Sequence, residues 1–253
     1  MTAPAVCYPL REDGELAEAI EPAHRARAAD ALQAQEVDVP TGAWAGDPVK
    51  IEDGIGLLVL EGVLVHRVGI GERFGAELLG EGDVLRSLRA EDETSPLRLA
   101  KSWLVLEPTR LAVLDARFVR ELARFPPLAG RLFARTVLRT RQLAINMAIV
   151  HQARVDVRLH MLLWHLAGRW GRVRSDGIVV PLRLTHATLA ELVAARRPTV
   201  TSALSELARA GLLRPVQDGW LLSGDPPSEL EHALDPRPDD PPTERVASGA
   251  EGP

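Results

Sequence analysis

Hydrophobic and polar positions change their period along this chain. From about residue 44 to 114 the apolar residues fall in short runs broken by Gly and Pro, a β texture. Strands are predicted over 55–60 and 63–68, hinged at Glu61-Gly62, then over 76–79, 97–106 and 110–114, with Glu107-Pro108-Thr109 separating the last two. Val37-Asp38-Val39-Pro40 adds an earlier strand that ends at the Thr41-Gly42 turn, and Gly80-Glu81-Gly82-Asp83 reads as a turn. Short strands at roughly 8–12-residue spacing predict a small antiparallel roll or barrel.

From residue 115 the period becomes helical. Phe118, Val119, Leu122 and Phe125 make one short amphipathic helix, stopped by Pro126-Pro127. A long helix is predicted over 128–154. Its apolar positions (Leu132, Phe133, Val137, Leu138, Leu143, Ile145, Met147, Ile149, Val150) form no single stripe. Two packing surfaces are implied, one against the roll and one against a second copy of the helix, although burial on several sides of one domain fits the same pattern. A third helix covers 156–170.

Next come Val173-Arg174, the turn Ser175-Asp176-Gly177 and a strand over 178–184, then two short helices within 185–213. The first carries Leu189, Leu192 and Val193 on one face; the second, 198–210, carries Val200, Ala203, Leu204 and Leu207. Thr185 or Thr188 can cap the first, with Glu191 completing a capping box from Thr188. Pro198 suits the opening position of the second, and Gly211 its C-terminal cap. Strands 213–216 and 220–222 flank Gln217-Asp218-Gly219, a strong hairpin signal and a candidate wing.

The exposed face of this pair carries the chemistry. Arg196, Arg197, Thr199, Thr201, Ser202 and Ser205 cluster at the start of the second helix, and Thr188 joins them as an expected DNA contact. Cationic forks and short hydroxyls are the groups that meet phosphates and base edges when a helix enters a major groove. Taken alone, the pattern also fits an ordinary helical pair with a solvated polar face. Context decides between them: the flanking hairpins, the long helix upstream and the charge. The net charge is −5, yet residues 117–214 hold 17 Arg and no Lys against five acids, a local +12 that leaves −17 for the remainder. A basic half on an acidic chain suits nucleic-acid contact, with some Arg serving the fold or a dimer seam.

The 253 residues and a 46% apolar fraction allow two ordinary domains. The one cysteine, Cys7, falls in an N-terminus expected to be mobile and offers neither a disulfide framework nor a multi-cysteine cluster. No apolar run is long enough to span a membrane and no signal-peptide pattern opens the chain, so a cytoplasmic location is expected. His24, His66, His151, His160, His165 and His186 are scattered, and no metal site is expected. Trp44, Trp103, Trp164, Trp170 and Trp220 are expected as core anchors. No nucleophile–base pair or phosphate-cradling motif points to an enzyme.

The whole order of elements resembles the CRP/FNR family of bacterial transcriptional regulators over about residues 36–223. The resemblance is strongest in Asp156-Val157-Arg158-Leu159, Ser175-Asp176-Gly177, Leu184-Thr185, Arg197-Pro198-Thr199-Val200-Thr201-Ser202-Ala203-Leu204 and Gly211-Leu212-Leu213. It implies an α+β chain with an N-terminal antiparallel β-roll of cyclic-nucleotide-binding type, a long dimerisation helix and a C-terminal winged helix-turn-helix. The corresponding boundaries are an N-terminal arm 1–35, the roll 36–127, the dimerisation helix 128–154, the DNA-binding domain 155–223 and a disordered acidic tail 224–253. It also implies a homodimer on double-stranded DNA, each recognition helix on one half of a near-palindromic operator, with RNA polymerase as a further partner. Arg197 is the residue it brings to a base, by bidentate contact with a guanine edge. The best-known member carries Glu and a second Arg on this helix where Pro198 and Ser202 stand here, so a different operator is expected.

The roll resembles a cyclic-nucleotide-binding domain through 57–65 and Gly82-Asp83-Val84-Leu85. Nucleotide-binding members continue with Gly-Glu, a close backbone approach to phosphate and a carboxylate for ribose. Here Arg86-Ser87 follows, and Arg98-Leu99-Ala100 only loosely matches the Arg-Ser-Ala phosphate segment. Tight binding of cyclic AMP is not expected, and no cofactor is assigned. Two other functions fit parts of the pattern: a receptor module for an unidentified small effector, and a winged helix that captures protein.

Overall fold

The computed structural model describes residues 5–45, 51, 53–70, 73–85, 100–228 and 230. Its N-terminal half is organised by one sheet of β1 (Val6–Cys7), β2 (Ala34–Val39), β3 (Gly42–Trp44), β4 (Gly56–Ile70), β5 (Arg73–Gly80), β6 (Val84–Leu85) and β7 (Ala100–Leu114). The order is β1-β2-β7-β4-β5, with β3 on β7, β6 on β4, and every pair antiparallel.

Two expected turns are one bulge. Glu61-Gly62 and Glu107-Pro108-Thr109 face each other between β4 and β7, where the register shifts between Val59, Glu61 and Val63. Gly62 adopts φ +100°, and a Cβ there would come within 2.4 Å of Thr109 Oγ1 and 2.6 Å of the Pro108 carbonyl oxygen. Pro108 has no amide to give the ladder. Each breaker meets the other's irregularity, so both strands run through for 15 residues. Along β4, Leu58 and Leu60 face one core and Leu57 and Val59 face another, the period of two that buries both sides of a strand.

The arm expected over 1–35 is folded from residue 5 onward. Helices α1 (Pro9–Glu12), α2 (Gly14–Glu18) and α3 (Pro22–Ala31) bury Leu10, Leu16, Ile20, Ala28 and Leu32 against Leu58, Leu114 and Phe118. Cys7 is therefore not mobile. Burial, reinforced by Glu36 and Glu12, pushes its thiol up to about 12, which leaves it without thiolate character. Helix α4 (Ala116–Leu122) is capped by the Asp115 carboxylate, which accepts from the Phe118 amide at 2.8 Å.

The long helix is α5 (Pro126–Val150), beginning earlier and ending earlier than 128–154. Pro126 and Pro127 start it because the first turn has no use for their missing amides. Its faces divide cleanly. Leu128, Leu132 and Ile149 are buried on the same side as Arg135 and Arg139, whereas Phe133, Val137, Leu138, Leu143 and Met147 are exposed, Phe133 by 70% and Met147 by 62%.

The C-terminal half follows as α6 (Val155–Trp170), β8 (Arg172–Arg174), β9 (Gly177–Val180), α7 (His186–Leu192), α8 (Arg197–Arg209), β10 (Leu213–Val216) and β11 (Gly219–Leu222). Its sheet runs β10-β11-β9-β8. Leu159, Leu163, Leu189, Val200, Leu204 and Trp220 form a core continuous with Val63, Val65 and Leu78 of the roll. Only Trp220 of the five tryptophans is buried; the other four are half-exposed and edge the cores. The stretch expected as a tail from 224 begins packed: Ser223 donates to the Leu212 carbonyl, and Leu230 is buried in the same core. Residues 231–253 lie outside the described residues.

Candidate nucleic-acid interface

Local chemistry sets the two helices. Thr185 caps α7, its Oγ1 accepting from the Thr188 amide at 3.1 Å. Helix α7 ends in two reverse bonds, Ala195 N–H to the Ala190 carbonyl at 2.9 Å and Ala194 N–H to the Glu191 carbonyl at 3.2 Å. This is the Schellman arrangement, and its left-handed position is filled by Ala194 at φ +49° instead of a glycine. Arg158 of α6 holds the turn from below, with Nη1 donating to the Val193 and Ala194 carbonyls at 3.2 and 3.4 Å and Nε to the Gln152 carbonyl at 2.6 Å.

Helix α8 begins at Arg197, one residue before the expected start, with Arg196 as its N-cap and Pro198 in its first turn. Val200, Ala203, Leu204 and Leu207 are buried; Arg196, Arg197, Thr199, Thr201, Ser202 and Ser205 are exposed together. Neither Arg196 nor Arg197 has a side-chain hydrogen bond or ion pair among the described residues. Thr201, Ser202 and Ser205 donate to carbonyls four residues back, at 3.1, 3.3 and 3.0 Å, leaving oxygen lone pairs outward.

One expected contact is misplaced. Thr188 is 2% exposed and its hydroxyl meets that of the capping Thr185 at 3.0 Å, so it packs inside the first turn and does not join the exposed face. Its spacing from Leu192, one helical turn, carried that signal. His186 was missed. Its Nδ1 lies 3.0 Å from Thr201 Oγ1, which brings a half-exposed imidazole beside the polar face of α8.

The arginines of the basic half divide by partner. Arg135 pairs with Asp13 and Glu15, Arg139 with Glu77, Arg169 with Asp83, Arg183 with Asp218 and Arg214 with Asp176. These serve the fold. Arg67 on β4 meets Glu191 on α7 at 2.6 Å and ties the roll to the helical pair. Within the roll, His66 Nδ1 lies 2.9 Å from Glu77 Oε1, and Arg139 reaches both Glu77 and the Val84 carbonyl. Burial pushes the Glu77 carboxyl up, but hydrogen bonds from His66 and Arg139 outweigh it and hold the group below the usual carboxylate range.

Residues 157–226 match the family described as Crp-like helix-turn-helix domain. The C-terminal unit is a Crp-like helix-turn-helix domain. Over about four-fifths of the chain the fold is shared with solved structures of low sequence identity. A mutant of CooA from Carboxydothermus hydrogenoformans is similar at 18% identity and TM-score 0.61, over 80% of this chain and 88% of that one. A cyclic nucleotide-binding domain containing protein from Listeria monocytogenes EGD-e is similar at 16% identity and TM-score 0.61, over 82% and 94%. FixK2 from Bradyrhizobium japonicum is similar at 17% identity and TM-score 0.56, over 80% and 97%. No curated protein matches the sequence. Within the Crp-like domain α8 holds the recognition-helix position, and β10 and β11 form the wing.

Proposed function

We propose that the protein is a sequence-specific DNA-binding transcription regulator that binds a near-palindromic operator as a homodimer through α8. The observation that carries this is the pair Arg196 and Arg197, exposed and uncommitted among the described residues at the N-terminal end of a helix whose other face is buried. Most of the neighbouring arginines are tied to carboxylates; these two are left for an outside anion. Arg197 is assigned to a guanine edge, and Arg196, Thr199, Thr201, Ser202 and Ser205 to flanking bases and phosphates.

The exposed side of α5 supports the dimer. Phe133, Thr140 and Met147 recur every seven residues, with Val137 and Ala144 between them, the 3.5-residue seam of paired helices. Two such helices would set two copies of α8 about one DNA turn apart. RNA polymerase as a further partner and the cytoplasm as the place of action belong to the same reading. Among the described residues no helix is long and apolar enough to cross a membrane.

The proposal includes no cyclic AMP. The residues behind that expectation, Arg86, Ser87, Arg98 and Leu99, lie outside the described residues. Arg139 bears on it: its guanidinium already joins Glu77 to the carbonyl of Val84, so this cation is committed within the chain.

Fluorescence anisotropy with a labelled duplex tests the reading. Binding is expected to weaken steeply with salt, log K falling by about 0.9 per phosphate neutralised for each tenfold rise in salt. Salt-insensitive capture of protein partners, with no duplex binding, would contradict it.

A further inference from the structure

His186 opens α7 as a half-buried residue whose ring meets two other elements of the Crp-like domain. Its Nδ1 lies 3.0 Å from Thr201 Oγ1 on α8, and its ring centroid is 6.3 Å from that of Trp220 in the wing. The threonine fixes the tautomer. A hydroxyl has one proton, and Thr201 gives it to the Arg197 carbonyl at 3.1 Å. Oγ1 therefore accepts from His186, so in the neutral ring Nδ1 holds the proton and Nε2 holds only a lone pair. Were the hydroxyl turned toward Nδ1, two oxygens would face each other at 3.1 Å with no proton between them.

A phosphate diester accepts hydrogen bonds and gives none. Ser202 and Ser205 also spend their single hydroxyl protons inward, on the Pro198 and Thr201 carbonyls, so with Thr201 three hydroxyls of this face have no donor to offer it. Neutral His186 adds none. Protonation changes one atom of that picture: Nδ1 keeps its bond to Thr201, and Nε2 becomes a donor on a cation. The Thr201 contact thus holds the ring in both charge states. Among the described residues no carboxylate pairs with His186. On α8, Arg197 stands one turn before Thr201 and Glu206 lies beyond it. In the wing, Asp218 is neutralised by Arg183 and Arg214 by Asp176, and on α7 itself Glu191 is taken by Arg67.

We infer that His186 is a further DNA-contacting residue whose ring takes up a proton from solvent as duplex binds, Nε2–H then donating to a backbone phosphate. The inference rests on the DNA-binding reading and deepens it. Proton and duplex favour each other at this position, so by linkage affinity rises as pH falls through the range in which histidine titrates. The contact is to the backbone, so it strengthens binding without choosing a base.

A mixed-sequence duplex is a sufficient probe, because backbone contacts do not depend on sequence. Its affinity for the full-length protein is read by anisotropy at fixed ionic strength. Between about pH 8 and about pH 6, His186 should contribute a gain of about fivefold per half-site, the size of an exposed ion contact. His186→Gln keeps a donor for Thr201 but no charge and should lose that share of the gain; of the seven histidines the other six remain in both proteins. His186→Arg carries a permanent charge and should bind about fivefold more tightly than the parent at the alkaline end, with the same share of pH dependence gone. Calorimetry in two buffers of different ionisation enthalpy counts the protons directly, and the parent should take up more than His186→Gln. No net proton uptake by the parent, or the same pH dependence in the parent and His186→Gln, would overturn the inference and leave the DNA-binding reading standing. Absence of duplex binding at either pH would remove both. The proton count on the unaltered protein needs no variant, so a result of zero decides even if neither variant folds.

Discussion

Arg158 and Val193 are joined by a 3.2 Å hydrogen bond from a guanidinium on α6 to a carbonyl at the end of α7. The same nitrogen reaches Ala194, and Nε reaches Gln152, so one side chain ties three backbone oxygens that a helix end and a linker leave open. Arg158→Ala should lower stability by about 1–2 kcal/mol, a charge-assisted hydrogen bond partly shared with solvent. Arg158→Lys should recover less than half, because one ammonium lacks the spread of the fork. Urea denaturation reads both; an alanine variant as stable as the parent would contradict the clamp.

Ala194 occupies a left-handed position at φ +49°. A Cβ there costs roughly 1 kcal/mol relative to glycine. Ala194→Gly should therefore raise stability by up to about 0.5 kcal/mol, seen as a higher urea midpoint, after the entropy cost of glycine in the unfolded chain. A lower midpoint would show that the methyl group packs usefully in the turn.

Acid stability should depend on Glu77. Its carboxyl is held below the ordinary value of 4.5 in the folded protein, so the unfolded chain binds the proton more tightly. The stabilisation is complete above that ordinary value and is lost as pH falls through the lowered one. His165 adds to the loss. Burial and then Arg169 hold its imidazole below the ordinary 6.5, so its share fades as pH falls below that value. Thermal melts between neutral pH and pH 3 should show a smaller pH-dependent drop for Glu77→Gln than for the parent. Parallel curves would contradict the assignment.

The exposed seam on α5 should control assembly. Val137→Asp and Phe133→Glu place charge in the proposed dimer contact without touching the buried side of the helix. Sedimentation should show a dimer for the parent and monomers for both variants, each with unchanged helical content. A parent that sediments as a monomer would remove the dimer from the account.

The sequence was most informative where local chemistry decides structure. The Thr185 cap, Pro198 in a first turn and the Asp218-Gly219 hairpin each depend on residues within a few positions, and α8 fell within one residue of its expected start. The two faces of α5 were legible because Leu132 and Phe133 cannot both point inward. Long-range partners were not legible. The Gly62 and Pro108 irregularities read as two turns because their meeting across the sheet is separated by more than forty residues. Leu10, Leu16 and Ile20 looked like scattered apolar residues in a Pro- and Glu-rich arm until the roll surface they cover was in view. In the candidate site Arg196, Arg197 and the hydroxyls of α8 were found from the face they share. Thr188 was assigned to the wrong side, and His186 became visible only through Thr201.

Selection from random duplexes tests the central claim most directly, with the unaltered protein and Arg197→Ala run side by side. The account predicts a two-fold-symmetric consensus for the parent. For the variant it predicts the same half-site spacing, relaxed preference at one base pair of each half-site and a loss of about 1–3 kcal/mol on the selected site. Recovery of no consensus, or of an identical consensus and affinity from Arg197→Ala, would contradict it.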